Sequence, residues 1–258
     1  MSDIPPLPAP LFDPNPQPLT PEPRREPPWG FRDLLEVLLF LLTTQLFLHL
    51  SGLAVLKRFA GHLDALDVRF ILPVQMLTFL LTIGFVYFMI AVRYQAPFWT
   101  ALHWHPVGQQ APLFLMAGVA LAFASQLVPL LFPSGRHLPI EKLFKGPTSG
   151  YLLAAFGIGV APFVEELLFR GVVYPVFERR WGLEPAVLST AALFALIHVP
   201  QLGGAWPPVI AIFLVGVAFS YARGRSGSLV PSFLMHLSYN STLFAALYLA
   251  TNGFRKFS

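Results

Sequence analysis

The chain is 258 residues long, 55% hydrophobic and only 12% charged, with a net charge of +4, whereas an ordinary soluble domain carries about 25% charged residues. That composition argues against a soluble globular domain, and the basic residues are scattered along the chain, so the electrostatic footprint of a nucleic-acid binder is missing too. With no cysteine, thiol nucleophiles, disulfides, thiolate metal sites and palmitoylation are closed to it, and any chemistry must come from Ser, His, Asp, Glu or backbone groups.

Eleven of the 26 prolines fall in residues 1–28, a stretch with too little nonproline hydrophobe to fold and no continuous apolar core of a signal peptide, so a flexible proline-rich tail is expected there. From Phe31 the character changes. An apolar run of about 20 residues crosses ~30 Å of hydrocarbon as a helix, and Leu34–Leu56, Phe70–Val92, Pro112–Phe132 and Leu229–Ala250 meet that length. Tyr151–Phe177, Pro185–Val199 and Val209–Tyr221 lie between them, the last two short for a full crossing. The expectation is an all-α, polytopic integral membrane helical bundle with about 7–8 transmembrane helices.

Lys57, Arg58, Arg93, Arg136, Arg179, Arg180, Arg223 and Arg225 punctuate the ends of these runs and are read as membrane-edge charges. They balance across the two sides, so the positive-inside rule does not orient the chain. The connections Tyr94–Ala111, with the string LHWHP, and Pro133–Gly150, with Arg136, His137, Glu141 and Lys142, are read as interfacial loops. His103 and His105 beside Trp104 fit that reading better than a metal pair, and His49 is assigned to packing or the interface. No internal repeat is apparent, which weakens the case for a transporter built from inverted repeats.

The informative residues are acids where acids are costly. Of the 13 acidic residues, only Glu165 and Glu166 lie deep in a long apolar stretch, with Arg170 beside them. A charge at the bilayer centre costs ~2.5–3.5 kcal/mol on insertion scales, so such a cluster marks a polar interior site. Glu166 and Arg170 are four apart, within reach on one helical face, which leaves Glu165 about 100° around the helix, toward another neighbour. His198 ends the run LSTAALFALIHVP, one turn after Phe194. His236 and Asn240, again four apart, lie on one face of LVPSFLMHLSYNSTLFAALYLA. A carboxylate, two histidines and an amide from three separate spans form a minimal set for activating a water and stabilising an oxyanion. The bland alternative is interhelical glue.

The three strings EELLFR (Glu165 to Arg170), FALIH (Phe194 to His198) and HLSYN (His236 to Asn240) resemble, in that order, the EExxxR, FxxxH and HxxxN motifs of the CPBP family. These are the CAAX protease and bacteriocin-processing, or Abi, intramembrane endopeptidases, including type II CAAX prenyl endopeptidases. The resemblance covers about residues 145–250, implying a catalytic transmembrane core there; from the residues themselves, 29–144 are read as N-terminal transmembrane helices, generic in their match, and 251–258 as a short basic tail. It implies Glu165 as the general base for water, His198 as the residue that holds that water, and His236 with Asn240 as oxyanion donors, with Glu166 and Arg170 orienting the site. It further implies a peptide or lipidated protein substrate drawn from the lipid bilayer, CAAX-type prenyl-protein processing being one option, and no nucleic-acid partner.

No cofactor is firmly implied, although Glu165, His198 and His236 are the residues that would ligate a divalent metal such as zinc. Gly224 to Gly227 spells GxSG, but Ser226 lies beside Arg223 and Arg225 between two apolar runs, at the membrane edge, and reads as a turn rather than a nucleophile. Pro162, with Gly157 and Gly159 nearby, is expected either to break the span or to start its helix. A non-catalytic bacteriocin-immunity or scaffold protein and a proton-coupled transporter are the competing classes.

Overall fold

The computed structural model describes residues 27–59, 67–133, 135 and 138–256. Most of the expected proline-rich tail, Arg136, His137 and the last two residues of the basic tail lie outside the described residues. Among the described residues there is no strand. The described residues form seven long helices: α1 (Phe31–Phe59), α2 (Val68–Arg93), α3 (Gly108–Leu131), α4 (Pro147–Trp181), α5 (Leu183–His198), α6 (Trp206–Ser226) and α7 (Val230–Ala250). Each apolar run of the sequence coincides with one of them. Among the described residues, five helices (α1 to α4 and α6) are long and apolar enough to cross a membrane. The 16-residue α5 is shorter, and the 21-residue α7 is interrupted by His236, Ser238, Asn240, Ser241 and Thr242.

The helix ends follow local chemistry. Asp67 caps α2 by accepting from the Arg69 backbone N–H, and Arg69 in turn holds the Asp67 carboxyl down to about 2, a charge-assisted N-cap. Prolines 112, 147, 207 and 231 stand in the first turns of their helices, where a missing N–H costs nothing. Gly227 closes α6 in the left-handed conformation, its N–H returning to the Arg223 carbonyl. Ser226 donates to the Ala222 carbonyl at 2.7 Å and accepts from the Ser228 N–H, so this serine is built into the turn.

Packing sorts the helices into a site-bearing group and a flank. Helix α3 lies along α7, and α5 along α6. Gly118 makes the first of these possible, because a Cβ there would collide with Ser238 Oγ and the Met235 carbonyl. At the flank, α1 and α2 are tied at their ends by Arg93, whose guanidinium reaches Glu36 at 2.6 Å and Asp33 at 3.2 Å. His49 packs its ring 5.7 Å from Phe70 between the same two helices. The outward faces carry exposed Leu46, Phe47, Leu80, Phe123 and Leu130, a large apolar surface that suits hydrocarbon and would not suit water.

The segment after α2 is more than an interfacial loop. It forms a helical turn at Phe98–Ala101, buries Leu102 completely, and docks on the start of α7, where the Leu229 N–H donates to the His103 carbonyl at 2.9 Å and Ser228 Oγ to the His105 carbonyl at 2.7 Å. In the other connection, Glu141 and Lys142 lie on the 3-10 turn Pro139–Leu143.

Candidate active site

Helix α4 carries the acids and is irregular where it matters. Its 35 residues contain two π-helical stretches, Phe156–Val160 and Leu167–Val173, separated by the α-helical Ala161–Glu166. Pro162 stands in the first turn of that α-helical stretch, separated from the π stretch by Ala161, within a continuous helix. Such bulges recur at functional sites because they re-aim side chains within an otherwise continuous helix.

The first π stretch explains one site residue. The Ala161 N–H goes to the Phe156 carbonyl, and the next donor in that register, residue 162, is a proline without an N–H. The Gly157 carbonyl is thereby left to other donors, and Asn240 Nδ2 on α7 donates to it at 2.6 Å. A Cβ at residue 157 would come within 2.6 Å of the Phe244 ring, so glycine also permits the close approach of α7.

The two acids have different surroundings. Glu166 is fully buried, and its Oε1 accepts from Arg170 Nη1 at 2.9 Å and from His236 Nδ1 at 2.9 Å. Arg170, also fully buried, donates from Nε to Ser220 Oγ at 3.2 Å and from Nη2 to the Gly216 carbonyl at 3.0 Å, both on α6. Its guanidinium lies 4.5 Å over the Phe194 ring and 5.5 Å over that of Phe219. The i, i+4 pair expected from sequence is thus one part of a network joining α4, α6 and α7. Glu165 points elsewhere: its side chain keeps 17% exposure, and its Oε2 lies 3.7 Å from His236 Nε2. That gap is too long for a direct hydrogen bond.

His198, at the end of α5, donates from Nδ1 to the Phe194 carbonyl at 2.7 Å, so in its neutral form Nε2 carries the lone pair. Phe194 links the motifs, with ring centroids 4.8 Å from His198 and 5.8 Å from His236. The structure therefore joins Glu165, Glu166, Arg170 and His236 by polar contacts and connects His198 through Phe194. Asn240 sits one turn beyond His236 on a different partner, Gly157.

Among the described residues no group of three or more His, Asp or Glu side chains is arranged to hold a metal ion. The Nδ1 hydrogen bonds of His198 and His236, to the Phe194 carbonyl and to Glu166, leave Nε2 as the ligating or hydrogen-bonding atom of each ring. His103 and His105 bring their rings to 5.9 Å of each other.

Several residues here carried no legible sequence signal. Ser220 and Phe219 are ordinary members of an apolar helix until Arg170 and His236 reach them. Trp104 of the LHWHP string packs against Phe163 and Phe233, each three residues ahead of a site residue, Glu166 and His236. Trp29, fully buried, donates its indole N–H to the Val172 carbonyl in the second π stretch at 3.0 Å, and Arg179 holds the Trp29 and Pro27 carbonyls.

Fold and site together define a polytopic helical membrane protein with a buried ionic network carried by α4, α6 and α7. Comparison with known proteins narrows the class. Residues 147–242 match the family model described as type II CAAX prenyl endopeptidase Rce1-like, and this match, spanning α4 to α7, bears out the resemblance to the CPBP/CAAX protease family. A protein of Escherichia coli, described as an uncharacterized 24.3 kDa protein, is 38% identical over 80 residues, which make up 30% of this chain and 36% of that one. The chain thus spans about a third of the length of that relative. No solved structure matches the chain.

Proposed function

We propose that the protein is an intramembrane endopeptidase that hydrolyses a peptide bond with a water activated by Glu165 and His198. The observation that carries the reading is the division of labour between adjacent carboxylates. Glu166 is sealed and held by Arg170 and His236, whereas Glu165 is partly open and has no such brace. A general base must reach its water, and a brace must not move.

In this reading Glu165 takes a proton from water while the Nε2 lone pair of His198 holds it, and the hydroxide oxygen bonds to the peptide carbonyl carbon. The C–N bond of the tetrahedral species then breaks, and Glu165 returns the proton to the departing amine. His236, fixed through Nδ1 by Glu166, presents Nε2 to the space beside Glu165. Asn240 uses one amide hydrogen on Gly157 and retains the second. These two groups are the proposed oxyanion donors, His236 in its imidazolium form, which carries a hydrogen on Nε2 as well as on Nδ1, and Asn240 through its second amide hydrogen, a role whose loss typically costs ~10²–10³ in rate. The substrate class is a peptide or lipidated protein reached from the bilayer, with prenylated CAAX tails as the first candidate.

The experiment is direct. Purified protein in detergent is incubated with a quenched prenylated peptide and then with a membrane-proteome library, and new termini are mapped by mass spectrometry. Cleavage that His198→Ala removes is expected. Absence of cleavage in both, with folded protein, would favour the scaffold or transporter classes.

A further inference from the structure

The second π stretch of α4 repeats the problem met at Gly157. The Tyr174 N–H goes to the Phe169 carbonyl, so it does not serve Arg170, and the next donor in the π register is residue 175, again a proline. The spacing is the same in both places: Gly157 to Pro162 and Arg170 to Pro175 are each five residues. The Arg170 carbonyl therefore loses its donors from within the helix, and a buried carbonyl without a partner is costly. Here the missing donor comes from α6, where Arg223 Nε donates to the Arg170 carbonyl at 3.1 Å.

Arg223 is only 2% exposed, so this residue is not the membrane-edge charge its flanks imply, whereas Arg225, two positions on, is exposed. Its guanidinium stacks 5.6 Å over the Tyr174 ring, the residue before Pro175, and the adjoining Gly224 leaves room for the Tyr174 hydroxyl, which a Cβ would strike. The side chain is thus fitted to this turn of α4.

We propose that Arg223 is a positioning residue for the site: it replaces the backbone donor that Pro175 withholds and so holds the π turn carrying Arg170, and with it the Glu166–Arg170 pair, in register with His236. Asn240 does the same at the other end of the α-helical stretch, and the two together clamp the segment bearing both acids between side chains of α6 and α7. The proposal rests on the endopeptidase reading for its effect on rate, but the structural coupling stands without it.

The test is a double-mutant cycle in full-length protein in detergent, using Arg223→Met, Pro175→Ala and their combination, read by melting and by peptide cleavage. Alanine at 175 restores an N–H, and whether the turn stays π-helical or reverts to α-helical, the Arg170 carbonyl then regains an intrahelical donor. Arg223→Met alone is expected to lower the melting temperature by about 3–6 °C and kcat by roughly 10-fold with KM within about twofold. In the Pro175→Ala background the same substitution should cost clearly less in both readouts, because the share carried by the Arg170 carbonyl is gone while the contact with Tyr174 is lost in either background. Arg223→Lys, which keeps a donor, should recover part of both losses. If Arg223→Met does not fold, the double variant must, and failure of both to fold overturns the proposal. An Arg223→Met penalty of equal size in both backgrounds also overturns it. Should the wild-type protein cleave nothing, the endopeptidase reading fails while the melting cycle still decides the coupling, so the two failures are distinguishable.

Discussion

Replacing Arg170 by methionine, which keeps most of the side-chain volume but removes the charge, tests the ionic network at its centre. The perturbation strands the Glu166 carboxylate in a site with no exposure, and breaking one partner of a buried ion pair costs ~3–5 kcal/mol. Ser220 Oγ and the Gly216 carbonyl also lose the donor they now share, adding on the order of 1 kcal/mol each. A loss of roughly 5 kcal/mol is a large part of the ~5–15 kcal/mol that holds a typical domain together. The compensating change is Glu166→Gln, because glutamine removes the negative charge while its amide oxygen still accepts from His236 Nδ1. The double variant Glu166→Gln/Arg170→Met should therefore be more stable than Arg170→Met alone by about 3 kcal/mol. Reversible unfolding by SDS in mixed micelles, followed by tryptophan fluorescence, gives both numbers. An Arg170→Met protein within about 1 kcal/mol of wild type, or a double variant no better than the single, would refute the buried pair as the central brace.

Four further outcomes are expected. Asn240→Asp sets an ionised carboxylate oxygen against the Gly157 carbonyl, two acceptors 2.6 Å apart where a donor stood; melting temperature and cleavage should fall at neutral pH and partly recover in acid as the carboxyl regains a proton. Ser226→Ala should keep cleavage within about twofold, and fluorophosphonate probes should leave the protein unlabelled, since that hydroxyl is occupied by the α6 turn; labelling at Ser226 would restore the serine-protease reading. Asp67→Ala should lower stability by ~0.5–2 kcal/mol through loss of the α2 cap. Because Arg69 holds the Asp67 carboxyl down to about 2, below the ordinary 3.8, that difference should be full above pH 3.8 and vanish as pH falls through about 2. Dialysis against a chelator should leave cleavage within about twofold, and loss restored by added zinc would place a metal in the reaction.

Much of this architecture was legible because a membrane makes hydropathy and misplaced charge informative. The seven apolar runs became the seven long helices, and Glu165, Glu166 and Arg170 stood out as ions in hydrocarbon. What escaped was whatever depends on a partner from another helix. Pro162 announces a disturbed backbone but says nothing of Asn240, which reaches Gly157 from more than 80 positions away. Arg223 reads as an edge charge because sequence records its flanks, Gly224 and Arg225, and not the Arg170 carbonyl it meets. Trp29 lies at the border of the proline-rich tail, and only the fold places its indole on Val172. The polar network was seen as a pair because a pair needs only helical periodicity, whereas Ser220 and Gly216 enter through the packing of α6 on α4.

In the proposed reading the adjacent glutamates do different work, Glu165 on water and Glu166 on structure. Cleavage of the quenched prenylated peptide and detergent melting, measured side by side for Glu165→Gln, test it most directly. The variant should melt within about 2 °C of wild type while its cleavage falls by at least ~10²-fold. A Glu165→Gln protein that still cleaves at the wild-type rate, or that loses its fold along with its activity, would contradict it.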